Sequence, residues 1–532
     1  MTVKRHIPTL YCTGYILMLA GLPFSNFLMS VSQFVLAGTW LIEGNFREKF
    51  RNFFHNPVAL LISSLFFLHL LGLAWTEDFG YGFHELRIKL PLLVLTLVIS
   101  TSPALPFKTF KNLLLFFAYA VFTGTLVSTG EWLGINNELR KLTGLPEHLH
   151  LDNRSISLFI SHIRFGLLIC LAAFILVYLS IFRGENLPGY KKLIFLLTAL
   201  WLFLFLFILG SLSGIFIATI LLFAVCLSVI SAKRFRIRAK LFSSAGILLL
   251  GVFWSWSGNT LLQPCDKGKT GYSVLEKVTT RGNPYVHDTL AGIFIDCRAV
   301  WINVCWPELT GAWNQRSKIS FDSADMKGQP VRFTLVNFLT SKGLKKDMDG
   351  VMALSNEEIR AIEKGYTDVR ALHSTDLMYR LKQISEDYRQ YLRGGNPSGS
   401  SVMQRIEFWK AATGIILENP LLGVGTGDVP AAYQEQYEKL SSPLPEKFRL
   451  RAHNQFLAMG VSFGITGLTW FILTLLYPLF YKKKYSVFPY LAFFIIVFIS
   501  LLSEDTLESQ AGISFYVFFN CLFLFRMSPD DR

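Results

Sequence analysis

Two groups of polar residues in the last third of the sequence have the types and spacing needed to bind an anion and to move a proton. Arg405 and Trp409 lie four residues apart in 401-SVMQRIEFWKAATGIILE-418, so they share one face of a predicted helix. His453 follows where polar sequence gives way to an apolar run. The residues directly after it are Asn454 and Gln455. An arginine can bind a phosphate through two hydrogen bonds, and a histidine titrates near neutral pH. The competing interpretation of His453 is a helix-end residue with a structural hydrogen bond.

A glycine-rich segment, 420-PLLGVGTGDVP-430, lies between these two groups. Alternating glycines let a backbone approach a ligand closely and offer N–H groups to an anion. Gly425 and Gly427 are therefore candidate phosphate-binding positions. The segment has no GK[ST] sequence, so it is not a P-loop, and it lacks the spacing and context of a Rossmann fingerprint. The competing interpretation is a tight turn before a helix.

Cationic residues recur near the predicted external ends of apolar runs, at Arg87, Lys89, Arg154, Arg164, Arg405 and Arg451. Arg164 lies in 153-NRSISLFISHIRFGLLI-169, about ten residues inside a predicted span, and a charge at that depth usually faces the interior of a helix bundle. We expect the helices that carry these cations to converge.

Acidic residues open the stretch 504-EDTLES-509 between the last two apolar runs. Glu504 and Asp505 would orient a histidine or receive the proton of a hydroxyl group, and the competing interpretation is a solvated loop. The cysteines show no metal-ligand spacing. Cys297 and Cys305 could pair in an oxidising compartment, and the sequence leaves this open.

The composition is that of a membrane protein. Of the 532 residues, 52% are hydrophobic and only 17% are charged, whereas a soluble domain carries about a quarter charged residues. The net charge of +14 comes from short basic clusters between apolar runs, which is the pattern of the positive-inside rule. No nucleic-acid-binding motif accompanies the charge, so we expect membrane lipids as partners and no nucleic acid.

The apolar runs predict an all-α polytopic membrane protein with about twelve spans of roughly 20 residues each. The predicted spans are 7–25, 27–43, 57–75, 88–103, 111–132, 156–182, 190–208, 210–231, 240–257, 455–480, 486–503 and 510–527. They form a membrane domain with about nine spans (1–257), a large and mainly helical external loop domain (258–454), and a second membrane part with the last three spans (455–532). The alternation of Lys and Arg between loops predicts that both termini are cytoplasmic.

Several motifs, taken in order, resemble those of the O-antigen ligase and polymerase superfamily. They are Arg405-x3-Trp409, 419-NPLLGVGTGD-428, 452-AHNQFL-457 followed by Gly464 and Gly467, and the SHIRFG stretch. The layout of many spans with one large external loop late in the chain is also similar. One departure concerns 211-SLSG-214, where the family often has an arginine after a serine. The resemblance implies that Arg164 supplies that charge.

The resemblance implies a glycosyltransferase in the bacterial inner (cytoplasmic) membrane, with the large loop in the periplasm. It would move an O-antigen glycan from undecaprenyl diphosphate to lipid A–core, with inversion and without a metal or other cofactor. The alternatives are a repeat-unit polymerase, a protein O-oligosaccharyltransferase, or a transporter of polysaccharide or lipid. The expected catalytic residues are His453 and Arg405. The expected donor diphosphate ligands are Arg164, Arg154, Arg87, Arg405, Gly425 and Gly427. The expected supporting residues are Trp409, Asn454, Gln455, Glu504 and Asp505.

Overall fold

The fold is 75% helical with almost no sheet. The structure, a computed structural model, describes residues 2–135, 138, 156–183, 187–233, 235–262, 275–295, 298–373, 376–392 and 394–526. The predicted all-α class is confirmed at this level. Arg154 and Cys297 lie outside the described residues, so their predicted roles are not addressed by the structure. Cys305 is buried, with its thiol free.

The α-helices are α1 (Thr2–Phe24), α2 (Asn26–Glu43), α3 (Phe46–Phe54), α4 (Pro57–Leu71), α5 (Phe79–Thr101), α6 (Phe107–Trp132), α7 (His162–Val177), α8 (Gly189–Ile208), α9 (Leu212–Ser231), α10 (Ile237–Leu262), α11 (Trp306–Arg316), α12 (Val331–Lys342), α13 (Met348–Met352), α14 (Asn356–Glu363), α15 (Arg370–His373), α16 (Asp376–Leu392), α17 (Ser401–Glu418), α18 (Val429–Lys439), α19 (Gln455–Phe480), α20 (Phe488–Ser503) and α21 (Gln510–Cys521). Short 3-10 turns lie at Gly72–Trp75, Pro397–Gly399, Glu446–Phe448, Tyr481–Ser486 and Thr506–Glu508, and π-helical turns at Tyr178–Phe182 and Leu522–Arg526. Strands β1 (Phe294–Ile295) and β2 (Arg298–Ala299) pair antiparallel.

Helices occupy most of each of the predicted apolar runs. Within the described residues, eight helices are long and apolar enough to cross a membrane, or nine if α2 and α3 form one bent span. The last two apolar helices, Phe488–Ser503 and Gln510–Arg526, are shorter than these. The protein is therefore a multi-pass membrane protein, while the count of about twelve spans stays a prediction.

Polar side chains fix where many of these helices begin. An N-cap side chain accepts a hydrogen bond from a backbone N–H of the first turn, which otherwise lacks a partner. Such caps start α2, α4, α5, α7, α9, α19 and α21, and they are Ser25, Asn56, Asp78, Ser161, Ser211, Asn454 and Ser509. Apolar periodicity alone does not locate these starts.

The chain divides into two compact units. The first comprises Met1–His148, Arg154–Lys240 and Arg405–Arg532. Its centre is α7, whose residues 165–177 are all buried against α6, α8, α9 and α20. The second unit comprises the described residues of Leu241–Gln404. Its apolar core gathers residues of α11, α12 and α14, including Trp313, Leu335 and Ile362.

Candidate active site at the start of helix α19

His453 stands at the entrance to α19 in a backbone conformation that side chains rarely adopt. Its φ is +46°, in the left-handed region, which costs free energy for a residue with a Cβ. The next residue, Asn454, is the N-cap of α19 and accepts hydrogen bonds from Phe456 N (2.9 Å) and Leu457 N (3.2 Å). Its amide also donates to Leu502 O at 3.1 Å. The cap therefore fixes the chain on both sides of this turn and holds His453 in place.

Two carboxylates face the imidazole of His453. Its Nδ1 lies 3.3 Å from Asp505 Oδ1 and 3.4 Å from Glu504 Oε2, but it is not aligned for a hydrogen bond with either. The proximity of Asp505 and then of Glu504 raises the pKa of His453 to about 9, and burial only partly opposes this. His453 is therefore an imidazolium at neutral pH. We call Arg405, His453, Glu504 and Asp505 the His453 cluster.

Arg405 binds the same carboxylate from the opposite direction. Its guanidinium lies 2.5 Å from Glu504 Oε1, so Glu504 is shared between Arg405 and His453. Trp409 follows one helical turn later, and its Nε1 donates to Ala452 O at 2.9 Å. Because Ala452 directly precedes His453, Trp409 ties α17 to the strained turn.

Arg164 lies closer to the start of its helix than the sequence predicts. The prediction of about ten residues inside a span is wrong: Ser161 caps α7, the helix begins at His162, and Arg164 lies in its first turn. The side chain is half-buried and within electrostatic range of Glu504 and Asp505. The apolar run continues upstream of the cap, which is why hydropathy placed the helix start too early.

Arg87 does not join Arg164. It is exposed on α5 and meets His84 Nδ1 at 3.3 Å, whereas Lys89, two residues on, is fully buried. Residues two apart lie on nearly opposite sides of a helix. The cation that α5 directs inward is therefore Lys89, and the choice of Arg87 in the sequence analysis is not supported by this placement.

Gly425 and Gly427 do not present their amides to a ligand. Gly425 N donates to Ser462 O at 2.9 Å, and Gly427 N donates to Thr76 Oγ1 at 3.1 Å. A Cβ on Gly427 would lie 2.1 Å from Asp78 O. The glycines serve close backbone packing in this structure, as in the competing interpretation of a tight turn.

The glycine-rich segment forms backbone hydrogen bonds with α19 at a point where that helix is broken. Gly464 has φ +64° and ψ −163°, so the helix is interrupted there. The break frees the carbonyls of Val461 and Ser462, which accept Val424 N at 3.0 Å and Gly425 N at 2.9 Å. The two glycine-containing motifs of the sequence thus form one hydrogen-bonded structure.

A second ionic cluster joins α5 to the two chain segments that carry His453 and Glu504. We call Glu85, Lys89, Arg451, Gln455 and Glu508 the buried network. Lys89 Nζ lies 2.6 Å from Glu508 Oε2 and 3.3 Å from Glu85 Oε2. Arg451 bridges the same acids, at 2.9 Å from Glu85 and 3.3 Å from Glu508. Gln455 Nε2 donates to Glu508 Oε1 at 2.8 Å, so both oxygens of Glu508 are occupied.

The sequence predicts Lys89 and Arg451 among the external cations and Gln455 as a supporting residue, but it does not predict their pairing with Glu85 and Glu508. Burial alone would raise the pKa of Glu508, but Lys89 and Arg451 hold it well below its usual range. A signal existed: Glu85 and Lys89 form an i, i+4 acid–base pair at the start of an apolar run. A small pocket adjoins the network and is lined by His69, Tyr81, Glu85, Thr426, Val429, Tyr433, Arg451, Ala458, Ser462 and Glu508.

His453, Glu504 and Asp505 form the group, among the described residues, that could hold a metal ion. Their ligand atoms all lie within 4.8 Å of one another. A metal there would compete with Arg405 for Glu504 and with a proton for His453. The predicted absence of a metal therefore needs a direct test.

The sequence also contains a D-x-D pattern, Asp347-Met348-Asp349, so the predicted absence of a metal has no support from a lack of such patterns. It lies in the second unit. Asp347 caps α13 and accepts Gly350 N at 2.8 Å. Asp349 accepts Thr280 Oγ1 at 2.6 Å and Arg281 at 2.9 Å. These carboxylates are engaged in local structure.

The fold and the site define a multi-pass membrane protein with arginines, a protonated histidine and carboxylates gathered at one helix entrance. Residues 369–472 match the family described as O-antigen ligase, which supports the resemblance to the O-antigen ligase-like superfamily that the motifs indicate. Arg405, Trp409 and His453 lie inside the matched segment, whereas Arg164, Glu504 and Asp505 lie outside it. No curated protein matches the chain. The family suggests a glycosyltransferase of the ligase or polymerase type.

Proposed function

We propose that this protein is an O-antigen ligase of the bacterial inner membrane. It transfers a glycan from undecaprenyl diphosphate to lipid A–core at the periplasmic face, with inversion and without a metal. The observation that carries the proposal is the sharing of Glu504 between Arg405 and His453, in a chain with an O-antigen ligase family segment.

The reaction forms one bond and breaks one. A hydroxyl oxygen of the acceptor attacks the anomeric carbon from the side opposite the diphosphate. The bond from that carbon to the diphosphate oxygen breaks, and its electron pair leaves with undecaprenyl diphosphate. The hydroxyl proton passes to Glu504 or Asp505, whose oxygens face His453. The product is then inverted at the anomeric carbon.

Arg405 and Arg164 stabilise the charge that gathers on the leaving diphosphate. Arginine suits this task because its planar fork gives two hydrogen bonds to a phosphate and stays charged. Arg405 is bound to Glu504 in this structure, so donor binding exchanges a carboxylate for a phosphate. The exchange frees Glu504 when the leaving group is in place.

His453 acts as an imidazolium in this scheme. Its pKa of about 9 makes it a proton donor or a cation towards phosphate at neutral pH, not a base. Removing the hydroxyl proton then falls to a carboxylate. This assigns opposite protonation states to neighbouring groups, as acid–base pairs in enzymes require.

The polymerase alternative is separated from the ligase by the lipopolysaccharide of a deletion strain. We expect bare lipid A–core together with accumulated lipid-linked polymer. Core capped with a single repeat unit would identify a polymerase, and normal lipopolysaccharide with under-glycosylated proteins would identify a protein O-oligosaccharyltransferase.

The transporter alternative is tested with purified protein, a lipid-diphosphate glycan and an acceptor in detergent. Transfer to the acceptor excludes a transporter, and NMR of the new linkage reports inversion or retention. We expect activity to survive thorough chelation. Activity that is lost on chelation and restored by a divalent metal would overturn the arginine-based scheme and point to His453, Glu504 and Asp505 as ligands.

A further inference from the structure

Helix α3 turns sharply away from α2 at one end of the first unit. The two helices are bent by 117°. The turn is made by Gly44 (φ +72°) and Asn45 (φ +55°), two successive residues with left-handed φ. Asn56 then caps α4, a candidate membrane span. Since α2 covers the predicted span 27–43, α3 lies across the axis of that span and leads into a second candidate span, α4.

One face of α3 is an exposed aromatic stripe. Phe46, Phe50 and Phe54 recur every four residues and are 43%, 42% and 64% exposed. Phe46 and Phe50 also lie against the ring of Trp40, with centroids 5.3 and 5.9 Å apart. Three aligned phenylalanines exposed to water are unfavourable, because each side chain forgoes the free energy of burying its apolar surface.

The inward face of α3 is fixed to the protein. Lys49 is buried, pairs with Glu43 at 2.6 Å and donates to Trp40 O at 2.8 Å. Phe53 is buried one turn later. The rotation of α3 about its own axis is therefore set by contacts within the protein, and the aromatic stripe has a fixed direction.

Two arginines border the aromatic stripe. At 100° per residue, Arg47 and Arg51 follow Phe54 around the helix, and both are exposed. Glu48 and Asn52 lie on the remaining side and are also exposed. A helix with an apolar stripe flanked by cations lies in the membrane–water interface, with its apolar face in the acyl boundary and its cations at the phosphates.

We infer that α3 is an interfacial helix that binds anionic phospholipid headgroups through Arg47 and Arg51. The occupant is lipid because Leu41 and Ile42, at the end of α2, are exposed apolar residues directly before the turn, so the bilayer reaches this level. Charge complementarity favours anionic over zwitterionic headgroups. The inference does not depend on the proposed glycosyl transfer.

The test uses the full chain in nanodiscs that contain equal amounts of phosphatidylcholine and phosphatidylglycerol. A photoreactive p-benzoylphenylalanine replaces Phe50, Phe54 or, as the matched control on the polar side, Asn52. We expect lipid adducts at positions 50 and 54, detected by mass spectrometry, and several-fold fewer at 52. Equal yields at all three positions, or no lipid adducts at 50 and 54, would overturn the inference.

The headgroup preference is read from the same adducts. We expect phosphatidylglycerol adducts at position 50 to exceed phosphatidylcholine adducts, and the double variant Arg47→Gln/Arg51→Gln to bring the ratio close to one. Glu48→Gln, which removes a charge from the other side of α3, should not lower the ratio. An unchanged ratio in the double variant would refute binding of anionic headgroups by these arginines.

Discussion

The His453 cluster and the buried network use acids from the same short turn, residues 503–509, yet they differ in how completely their charges are satisfied. In the buried network, the Lys89, Glu85 and Glu508 side chains are 1%, 7% and 13% exposed, Arg451 is 26% exposed, and each acid has two cations within 3.3 Å. In the His453 cluster, Arg405 and His453 are 28% and 32% exposed. His453 Nδ1 also has no aligned hydrogen bond.

This difference supports the different roles that our proposal gives to the two clusters. A saturated buried network has no capacity left for a ligand and fixes the position of its backbone. The His453 cluster sits on that fixed turn with bonds that a phosphate or a hydroxyl group can replace. Variants of the two clusters should therefore separate loss of chemistry from loss of structure.

Removing a charge from the His453 cluster should abolish most activity without unfolding the protein. We expect Arg405→Ala and His453→Ala each to lower the transfer rate by about 10²- to 10⁴-fold, the range for a positioned charge or acid–base group. Rates are measured with purified protein, alongside melting temperatures. Lys410→Ala on the exposed side of α17 is the matched control. Full activity of both site variants would reject the assignment.

Breaking the buried network should instead destabilise the fold. Lys89→Met leaves Glu85 and Glu508 without their buried cation, and breaking such a pair costs about 3–5 kcal/mol. We expect a large fall in the melting temperature of the solubilised protein. Lys439→Met, which removes an exposed lysine paired with Glu418 and Glu435, should change it little. If the Lys89→Met variant is stable but inactive, Lys89 takes part in the transfer reaction and not only in holding the fold.

The pH dependence of glycan transfer shows whether His453 acts as a charged imidazolium or as a neutral base. With a pKa of about 9 in the folded state, His453 is charged below that pH, so activity should fall as pH rises through about 9. Its contribution to stability has the same sign: it is fully present below the unfolded value of about 6.5 and is lost as pH rises through the folded value.

Asp505→Asn removes the largest cause of this shift. The falling limb of the pH–rate profile should therefore move to lower pH in the variant. A wild-type rate that climbs through pH 9 would show that His453 works as a neutral base, contrary to our scheme.

The smallest expected effect concerns Trp409. Trp409→Phe keeps the ring and deletes only the hydrogen bond to Ala452 O, worth about 1 kcal/mol. We expect transfer to slow by less than about tenfold. Trp470→Phe loses a comparable bond to Ser64 Oγ at 2.8 Å, and its activity should stay near that of wild type. Equal losses in both variants would indicate a general effect of the missing indole.

The sequence predicted the parts of the site whose signal is local. Arg405, Trp409 and His453 carry spacing and context along the chain, and the apolar runs locate the helices. The contacts of Lys89 with Glu508 join residues more than 400 positions apart, and a single sequence holds no record of them. Arg164 was misplaced because one serine cap, not hydropathy, starts α7. Gly425 was misread because its amide bonds to a helix whose break no periodicity reveals. Gly427 was misread because its amide bonds to Thr76 Oγ1, 351 positions earlier in the chain.

The break at Gly464 also bears on how the chain assembles. A straight α19 would need the carbonyls of Val461 and Ser462 for its own next turn, and the glycine segment uses them instead. A straight helix and a docked segment therefore exclude each other. Because residues 420–425 are synthesised before α19, their N–H groups are already present when this helix forms. The bent shape can thus be templated during synthesis, and it need not be reached later by distorting a finished helix.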